Sequence, residues 1–231
     1  MLLVLDIGNT SITIGIYKDE ILIHTSKLSS DKFKTKKDYE IILNNFIKQE
    51  ILYNGFKAAV ISSVVPLLTE KLKIAVQKCF KIPVLIVSSS INAGINLDVE
   101  KSVGCDRIAN ACAAYKLYGS PSIVVDLGTA TTFDVVLNDG KFIGGAISPG
   151  IEISAKSLSS FTSLLPKINI TPPASVIGKN TINSMLSGII IGHAAMVEGI
   201  ILRIEEELGF KTTKIATGGY SNIIDDYLKY P

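Results

Sequence analysis

Alternating and periodic apolar positions divide the start of the chain into short strands. Leu2 to Leu5 is an apolar run typical of a buried strand. Ile12 to Tyr17 and Ile21 to Thr25 alternate around a polar turn at Lys18-Asp19-Glu20. This pattern predicts a first strand that is followed by a β-hairpin.

Helical spacing of apolar residues follows the hairpin, first in Lys37 to Glu50. The next apolar segments read as a strand, a helix and a strand: Ala58 to Ser62, Pro66 to Cys79 and Val84 to Val87. An alternation of strand, helix and strand predicts parallel pairing of the strands. Later in the chain, the spacing predicts two helices, Gly104 to Tyr118 and Ile182 to Leu208. It also predicts two strands: one begins at Ser122, and the other runs from Lys214 to Thr217.

The second half of the chain repeats the first. Leu5-Asp6-Ile7-Gly8-Asn9-Thr10 aligns with Val125-Asp126-Leu127-Gly128-Thr129-Ala130, 120 residues later. Each copy precedes a hairpin, and the second hairpin turns at Asn138-Asp139-Gly140, a dipeptide signal for a tight turn. Two such copies predict two similar half-molecules that face each other across a cleft. The alternative is that Asp-x-Gly is ordinary turn chemistry in both places.

Composition narrows the class of protein. Of the 231 residues, 47% are hydrophobic, so the chain is expected to bury a substantial core. The net charge is only +2, so the chain lacks the excess of basic residues that is typical of a nucleic-acid-binding protein. Three cysteines without Cys-x-x-Cys spacing fit a reduced compartment. Met1 to Leu5 give only five apolar positions and no basic residue before Asp6, so we do not expect a signal peptide. Charged residues interrupt Ser187 to Ile204, which favours a buried helix over a membrane span. We expect a cytoplasmic α/β protein with lobes at 1–118 and 119–231.

Both Asp-x-Gly turns have the composition of a phosphate site. Gly8-Asn9-Thr10-Ser11 and Gly128-Thr129-Ala130-Thr131-Thr132 each supply glycine backbone and hydroxyl groups directly after a strand. The carboxylates of Asp6 and Asp126 would repel a polyphosphate unless a cation lay between them. The pattern therefore implies Mg²⁺ with the phosphates, and Asp6 would reach it through a phosphate or a water.

Two further segments offer chemistry. Gly218-Gly219 follows a strand and would let backbone approach a nucleotide, although a plain turn has the same sequence. Gly104-Cys105-Asp106-Arg107 opens a helix, which makes Asp106 a candidate general base and Arg107 a candidate anion ligand. The alternative for Asp106 is a helix N-cap.

Taken in order, these motifs resemble type III pantothenate kinases. The resemblance also rests on Ser62-Ser63-Val64-Val65-Pro66 and on Gly144-Gly145-Ala146-Ile147-Ser148-Pro149-Gly150, and it covers nearly the whole chain. It implies the duplicated ribonuclease H-like fold of the acetate kinase, sugar kinase and actin superfamily, with two lobes around a nucleotide cleft. It further implies a homodimer that uses ATP as phosphoryl donor and pantothenate as acceptor, in the first step of coenzyme A synthesis. Neither nucleic acid nor a membrane is expected as a partner.

The resemblance also assigns residues. It implies an ATP phosphate loop formed by Asp6, Ile7, Gly8, Asn9, Thr10, Ser11, Ile12 and Thr13. Thr129 becomes a second ATP contact, and Asp126 becomes the ligand of a monovalent cation, K⁺ or NH₄⁺. The implied pantothenate contacts are Gly104, Cys105, Asp106, Arg107 and Thr181, with Asp106 as the base. From the sequence alone, Thr181 would be a helix cap.

This chain departs from the family pattern at three places. Leu97 stands where the family commonly has a tyrosine, Cys105 replaces a usual alanine, and the sequence ends soon after Gly218-Gly219. Two other functions remain open: a kinase of another small acceptor on the same fold, and an ATP-dependent regulatory protein similar to the Bvg accessory factors. His24 and His193 are predicted to be structural, because no metal-ligand pattern surrounds them.

Overall fold

The structure is a computed structural model that describes residues 1–49, 55–91 and 93–229. The chain divides into two compact units, one of Met1–Asn92 with Glu100–Ala109 and one of Ala93–Val99 with Asn110–Pro231. We call them unit 1 and unit 2. The proposed lobes, 1–118 and 119–231, differ from these units chiefly at helix Cys105–Leu117, which contributes its first turn to unit 1 and the rest to unit 2.

Unit 1 is a five-stranded sheet with two helices. Its elements are β1 (Leu2–Ile7), β2 (Ser11–Lys18), β3 (Ile21–Ser29), α1 (Lys36–Gln49), β4 (Ala58–Ser63), α2 (Pro66–Phe80) and β5 (Val84–Ile86). The strand order is β3-β2-β1-β4-β5, with an antiparallel hairpin on one side of β1 and parallel strands on the other. The predicted hairpin and parallel pairing are confirmed, whereas Glu50, the predicted end of α1, lies outside the described residues.

The hairpin of unit 1 turns where its polar residues are. Asp19 and Glu20 both have positive φ angles, 48° and 69°, as a tight two-residue turn between twisted strands requires. Inward-facing residues of β1 and β2, such as Leu5 and Ile14, are fully buried against α1 and α2. Period-two burial along these strands therefore sets the register of the sheet.

Unit 2 carries a second five-stranded sheet. Its elements are β6 (Asn96–Leu97), most of α3 (Cys105–Leu117), β7 (Ser122–Leu127), β8 (Ala130–Val136), β9 (Lys141–Pro149), α4 (Ile151–Phe161), α5 (Thr181–Leu208), β10 (Thr213–Thr217) and α6 (Ser221–Asp225). The strand order is β10-β7-β8-β9-β6. β7 pairs antiparallel with β8 and parallel with β10, as β1 does with β2 and β4.

The two units place their aspartates at the same point of this shared topology. Asp6 lies opposite Thr13 across the antiparallel pair in unit 1, and Asp126 lies opposite Thr132 in unit 2. The repeat seen in the sequence is thus a repeat of fold, and the duplicated ribonuclease H-like architecture is confirmed. The two sheets differ at their edges. In unit 1, two strands, β4 and β5, follow β1 on its parallel side, whereas in the described part of unit 2 only β10 follows β7 there. Unit 2 instead has the short strand β6 at its opposite edge.

Helix α5 forms much of the core of unit 2. In the part of the chain that the structure describes, it is the one helix long and apolar enough to span a bilayer, with a mean hydropathy of 1.8 over 18 residues. Half of that window is buried inside the protein, and side chains such as Ile190 and Val197 pack with Phe133 of β8. Burial of this kind is what a core helix shows.

Candidate active site

The turn after β1 is closed by backbone hydrogen bonds. The Gly8 amide donates to the Ser11 carbonyl at 2.9 Å, and the Ser30 hydroxyl donates to the Gly8 carbonyl at 2.6 Å. The Ser30 amide adds a bond to the carbonyl of Thr10 at 3.0 Å. These bonds fix the turn against the end of β3, so its shape is set before any ligand binds.

The residues assigned to ATP in this turn divide by burial. Ile7 and Ile12 are fully buried in the core of unit 1, so their side chains anchor the strands on either side. The exposed side chains of the segment are those of Asp6, Asn9 and Thr10. A ligand would therefore meet a carboxylate, an amide and a hydroxyl together with turn backbone.

In unit 2, the carboxylate of Asp126 is held from two sides. Asn110 Nδ2 donates to its Oδ2 at 3.0 Å. The backbone of Gly218, with φ at +96°, approaches the other oxygen so closely that a Cβ there would lie 2.6 Å from Oδ1. The Gly218-Gly219 turn therefore belongs to the surroundings of Asp126 and is more than a chain reversal.

Three turns of unit 2 pack on one another beside Asp126. A Cβ on Gly150, after β9, would lie 2.3 Å from the carbonyl oxygen of Thr129, after β7. The Tyr220 amide, after β10, donates to the Leu127 carbonyl at 3.2 Å. The exposed Thr129 thus sits among glycine backbone, the arrangement expected of a site that binds phosphate or ribose closely.

A side-chain bond links two of these turns. The Tyr220 hydroxyl donates to Glu152 Oε1 at 2.6 Å, and Glu152 lies in the first turn of α4. Burial, followed by the bond to Glu152 and its charge, raises the pKa of Tyr220. The hydroxyl therefore stays protonated and fixes the Gly218-Gly219 turn to α4, a role that the sequence did not reveal for either residue.

Asp106 occupies the first turn of α3, in unit 1. The helix begins at Cys105, so Asp106 is its second residue and the alternative of Asp106 as the N-cap does not hold. Its Oδ1 accepts a hydrogen bond from the Arg107 amide at 2.8 Å, and a Cβ on Gly104 would lie 2.4 Å from that oxygen. The half-buried carboxylate thus folds over a glycine, with the positive end of the helix dipole nearby.

The neighbours of Asp106 complete the segment. Arg107 is half-buried, as is Cys105, and burial raises the pKa of the Cys105 thiol. A protonated thiol is small and neutral, so it replaces the usual alanine without adding charge. Asn110, four residues after Asp106 in α3, is the amide that bonds Asp126, and its only sequence signal is its place in the apolar run Ile108 to Ala114.

Thr181 begins α5 and does not cap it. The cap is Asn180, whose side chain accepts from the Asn183 amide at 2.9 Å, so the prediction of Thr181 as a helix cap is wrong. The Thr181 side chain is exposed and lines a cavity of about 760 Å³ in unit 2. Small-molecule sites commonly have this volume.

The cavity lies between α4, α5 and the end of β9. Its walls are mainly apolar or small, with hydroxyls and one histidine among them. Its lining includes Leu158, Leu165, Thr181, Gly188, Gly192 and His193. Such a mixture suits an organic molecule with a few polar groups better than a bare ion.

Both histidine rings have partners inside the protein. His193 Nε2 and Thr131 Oγ1 share a hydrogen bond of 2.8 Å, and the His24 ring packs on Phe46 with centroids 5.0 Å apart. Within residues 1–49, 55–91 and 93–229, no three acidic, histidine or cysteine side chains gather as a metal cage. A divalent ion here would take most of its ligands from the phosphates and water, as Mg²⁺ commonly does.

Two ribonuclease H-like sheets, with glycine turns after β1 and β7, define the class of ATP-dependent kinases and actin-like ATPases. Within that class, residues 2–203 match the family model of type III pantothenate kinases. A type III pantothenate kinase of Bacillus cytotoxicus is 41% identical over 227 residues, which cover 97% of this chain and 87% of that protein. The chain belongs to the type III pantothenate kinase family, and it is an ATP-dependent kinase.

Solved structures support the same fold. A Baf family transcriptional activator from Campylobacter jejuni superposes with a TM-score of 0.58 at 20% identity, over 98% of this chain and 88% of that one. The Clostridium difficile activator of 2-hydroxyisocaproyl-CoA dehydratase, with bound ADPNP, gives 0.56 at 13% identity, over 98% and 84%. A glucokinase from Streptomyces griseus gives 0.50 at 14%, over 99% and 87%. Identities this low speak for the fold alone.

Proposed function

We propose that this pantothenate kinase uses Asp106 as its general base, the turn from Asp6 to Thr13 and Thr129 as ATP ligands, and Asp126 as the ligand of a monovalent cation. The observation that carries the proposal is the equivalent register of Asp6 and Asp126 in two duplicated sheets, each followed by a glycine turn. Family membership supplies the reaction, and these contacts supply roles for particular residues.

Asp106 would take the proton of the acceptor. The primary hydroxyl oxygen of pantothenate attacks the γ-phosphorus, the bond from that phosphorus to the β,γ-bridging oxygen breaks, and ADP leaves. The hydroxyl proton passes to the carboxylate of Asp106. The bond from the Arg107 amide and the fold over Gly104 hold that carboxylate in one orientation, which is the contribution that positioning makes to such a reaction.

The ATP phosphates would bind at the turn after β1. Gly8 and its neighbours offer backbone, and the exposed Asn9 and Thr10 offer polar side chains. Mg²⁺ bound with the phosphates would offset their charge, with Asp6 reaching it through a phosphate oxygen or a water. Thr129, exposed among the three packed turns of unit 2, would be a second contact.

The surroundings of Asp126 suit a monovalent cation. Glycine backbone of the turns after β7 and β10 approaches its carboxylate, since a Cβ on Gly128 or Gly218 would lie 3.2 or 2.6 Å from Oδ1, and Asn110 donates to Oδ2. Oxygen donors with a single full negative charge match K⁺ or NH₄⁺ better than a transition metal. When bound, the cation would supply positive charge beside the transferred phosphoryl group.

The acceptor would be held by Gly104, Cys105, Asp106 and Arg107, with Thr181 contributing from the cavity of unit 2. The Arg107 guanidinium suits the carboxylate of pantothenate, because its planar donors match two carboxylate oxygens. The Thr181 hydroxyl suits an amide or hydroxyl group of the same ligand. Neither contact requires the aromatic residue that Leu97 replaces.

A second copy of the chain would cover the outer face of α4 and α5. Phe161, Leu164 and Ile177 are 88%, 90% and 79% exposed. A homodimer in the cytoplasm is therefore part of the proposal, and light scattering at the monomer mass would contradict it.

An ADP-release assay with purified chain tests the proposal. We expect pantothenate to stimulate ADP release while glucose and acetate do not, and K⁺ or NH₄⁺ to be required when Na⁺ is the alternative. Asp106→Asn keeps the shape of the side chain and removes the base, so turnover should fall by roughly 10² to 10⁴. ATP affinity should persist. Near-normal turnover in that variant would remove Asp106 from the base role.

A further inference from the structure

A buried polar pair joins helix α5 to strand β8 in unit 2. His193 is 6% exposed and Thr131 is 1% exposed, and their Nε2 and Oγ1 atoms are 2.8 Å apart. A buried polar group is costly when it lacks a hydrogen-bond partner, so each side chain depends on the other. Burial also lowers the pKa of His193, which keeps the ring neutral and able to share this bond.

Thr131 stands at the base of the turns described above. It pairs with Leu127 across β7 and β8, which makes it the last pair before the Gly128-Thr129 turn. On its other side it pairs with Ser148 of β9, directly before Pro149 and Gly150. A bond to Thr131 therefore fixes the point from which two of the three packed turns depart.

His193 also reaches the cavity. It lines the same space as Thr181 and Gly192, so one ring contacts both the cavity and the residue that supports the Thr129 turn. The α5 residues Ile190, Ala194 and Val197 belong to the apolar core of unit 2, and apolar side chains cannot form a hydrogen bond of this kind. The His193–Thr131 bond is therefore a directional contact between α5 and β8, beside this apolar packing and the contact of the Ser148 hydroxyl with Met196.

From these contacts we infer that His193 is a positioning residue for nucleotide binding, acting through Thr131 on the Thr129 turn. Its effect on ATP would be indirect, through Thr131, while its ring also lines the cavity that Thr181 shares. The inference rests on the proposed role of that turn in binding ATP. It predicts that loss of the bond weakens ATP binding more than pantothenate binding.

The test compares His193→Phe, Thr131→Val and the double variant with wild type. The affinity for a non-hydrolysable ATP analogue, measured by calorimetry, should fall on the order of tenfold in each single variant, because mutations that act on a binding site through an intervening contact change its affinity by about this much. The KM for ATP should rise in proportion, and that for pantothenate should stay within about threefold. Because both variants break one bond, the double variant should be little worse than either single one.

Conservative and control variants separate positioning from stability. Thr131→Ser keeps the hydroxyl and should retain most of the ATP affinity. His193→Gln keeps a hydrogen-bonding group and serves as the conservative variant at the other position if His193→Phe folds poorly. Ser187→Ala breaks another buried bond of α5, from the Ser187 hydroxyl to the Val176 carbonyl. We expect it to lower the melting temperature and leave ATP affinity unchanged.

Several results would overturn the inference. Unchanged analogue affinity in folded His193→Phe or folded Thr131→Val would make the pair purely structural, and additive losses in the double variant would exclude Thr131 as the route. If wild type binds the analogue but releases no ADP with pantothenate, the proposed function fails while the affinity ratios still decide the role of His193. A wild-type chain that binds no nucleotide would contradict both.

Discussion

Replacement of Gly218 by alanine tests whether the Gly218-Gly219 turn is part of the active site. The residue has a φ of +96°, which a side chain adopts only with strain of about 1–2 kcal/mol. The new Cβ would also lie 2.5 Å from the Leu127 carbonyl carbon and 2.6 Å from Asp126 Oδ1. Contacts this short cannot persist, so either the turn or the Asp126 carboxylate must move.

The structure sets the size of both effects. Strain of about 1–2 kcal/mol lowers the melting temperature of a chain of this length by roughly 2–8 °C. A displacement of about 1 Å in an active site costs up to roughly 10²-fold in rate. We therefore expect Gly218→Ala to fold, to melt a few degrees lower, and to lose roughly one to two orders of magnitude in kcat/KM for ATP.

Gly209→Ala is the matched control. Gly209 ends α5 with a φ of +76°, and a Cβ there would meet no atom within 4 Å. The control variant carries the backbone strain without the clash, and it lies away from the three turns. Circular dichroism melting and the ADP-release assay on both variants separate the two effects. The reasoning is refuted if folded Gly218→Ala keeps wild-type kcat/KM, or if Gly209→Ala loses as much activity.

The remaining predictions concern stability and the acceptor. Glu205 is 5% exposed; burial raises its pKa, but bonds from Lys211, Lys214 and Thr212 outweigh that effect and lower it to about 2. Its stabilisation is therefore present above about pH 4.5 and lost as the pH falls toward 2. Glu205→Gln should cost at most about 3 kcal/mol in urea unfolding at pH 7 and clearly less at pH 3, and a gap from wild type that is as large at pH 3 as at pH 7 would contradict this. Thr181→Val should raise the KM for pantothenate severalfold without changing that for ATP, and steady-state kinetics showing the reverse would exclude an acceptor contact.

Local patterns in the sequence determine much of the observed fold. The β1–β2–β3 series is encoded by period-two apolar residues and by a polar turn at Asp19 and Glu20, so periodicity predicted it closely. The repeat of Asp-x-Gly predicted the second sheet for the same reason. Strand β6 has two residues and no period of its own, and α4 follows directly on Pro149 and Gly150, so neither was predicted.

The candidate site was predictable only in part. Glycine turns and a carboxylate at a helix start have local signatures, which is why Asp6, Asp106 and Asp126 could be selected. The partners of such residues are set by packing between distant segments. Thr131 and His193 are 62 positions apart, and Glu152 and Tyr220 are 68 apart, so no short pattern links them. Family resemblance singled out Thr181, whose own sequence context indicated only a cap.

Neither unit is a continuous piece of the polypeptide. Unit 1 takes residues 100–109 from beyond a segment that belongs to unit 2, and unit 2 takes 93–99 from within the range of unit 1. A gene divided after Tyr118 would therefore leave the first product with an edge strand and most of a helix that pack elsewhere. When the halves are expressed separately or joined in a new order, residues 93–117 should therefore stay on one polypeptide together with the strands on either side of them, β5 and β7.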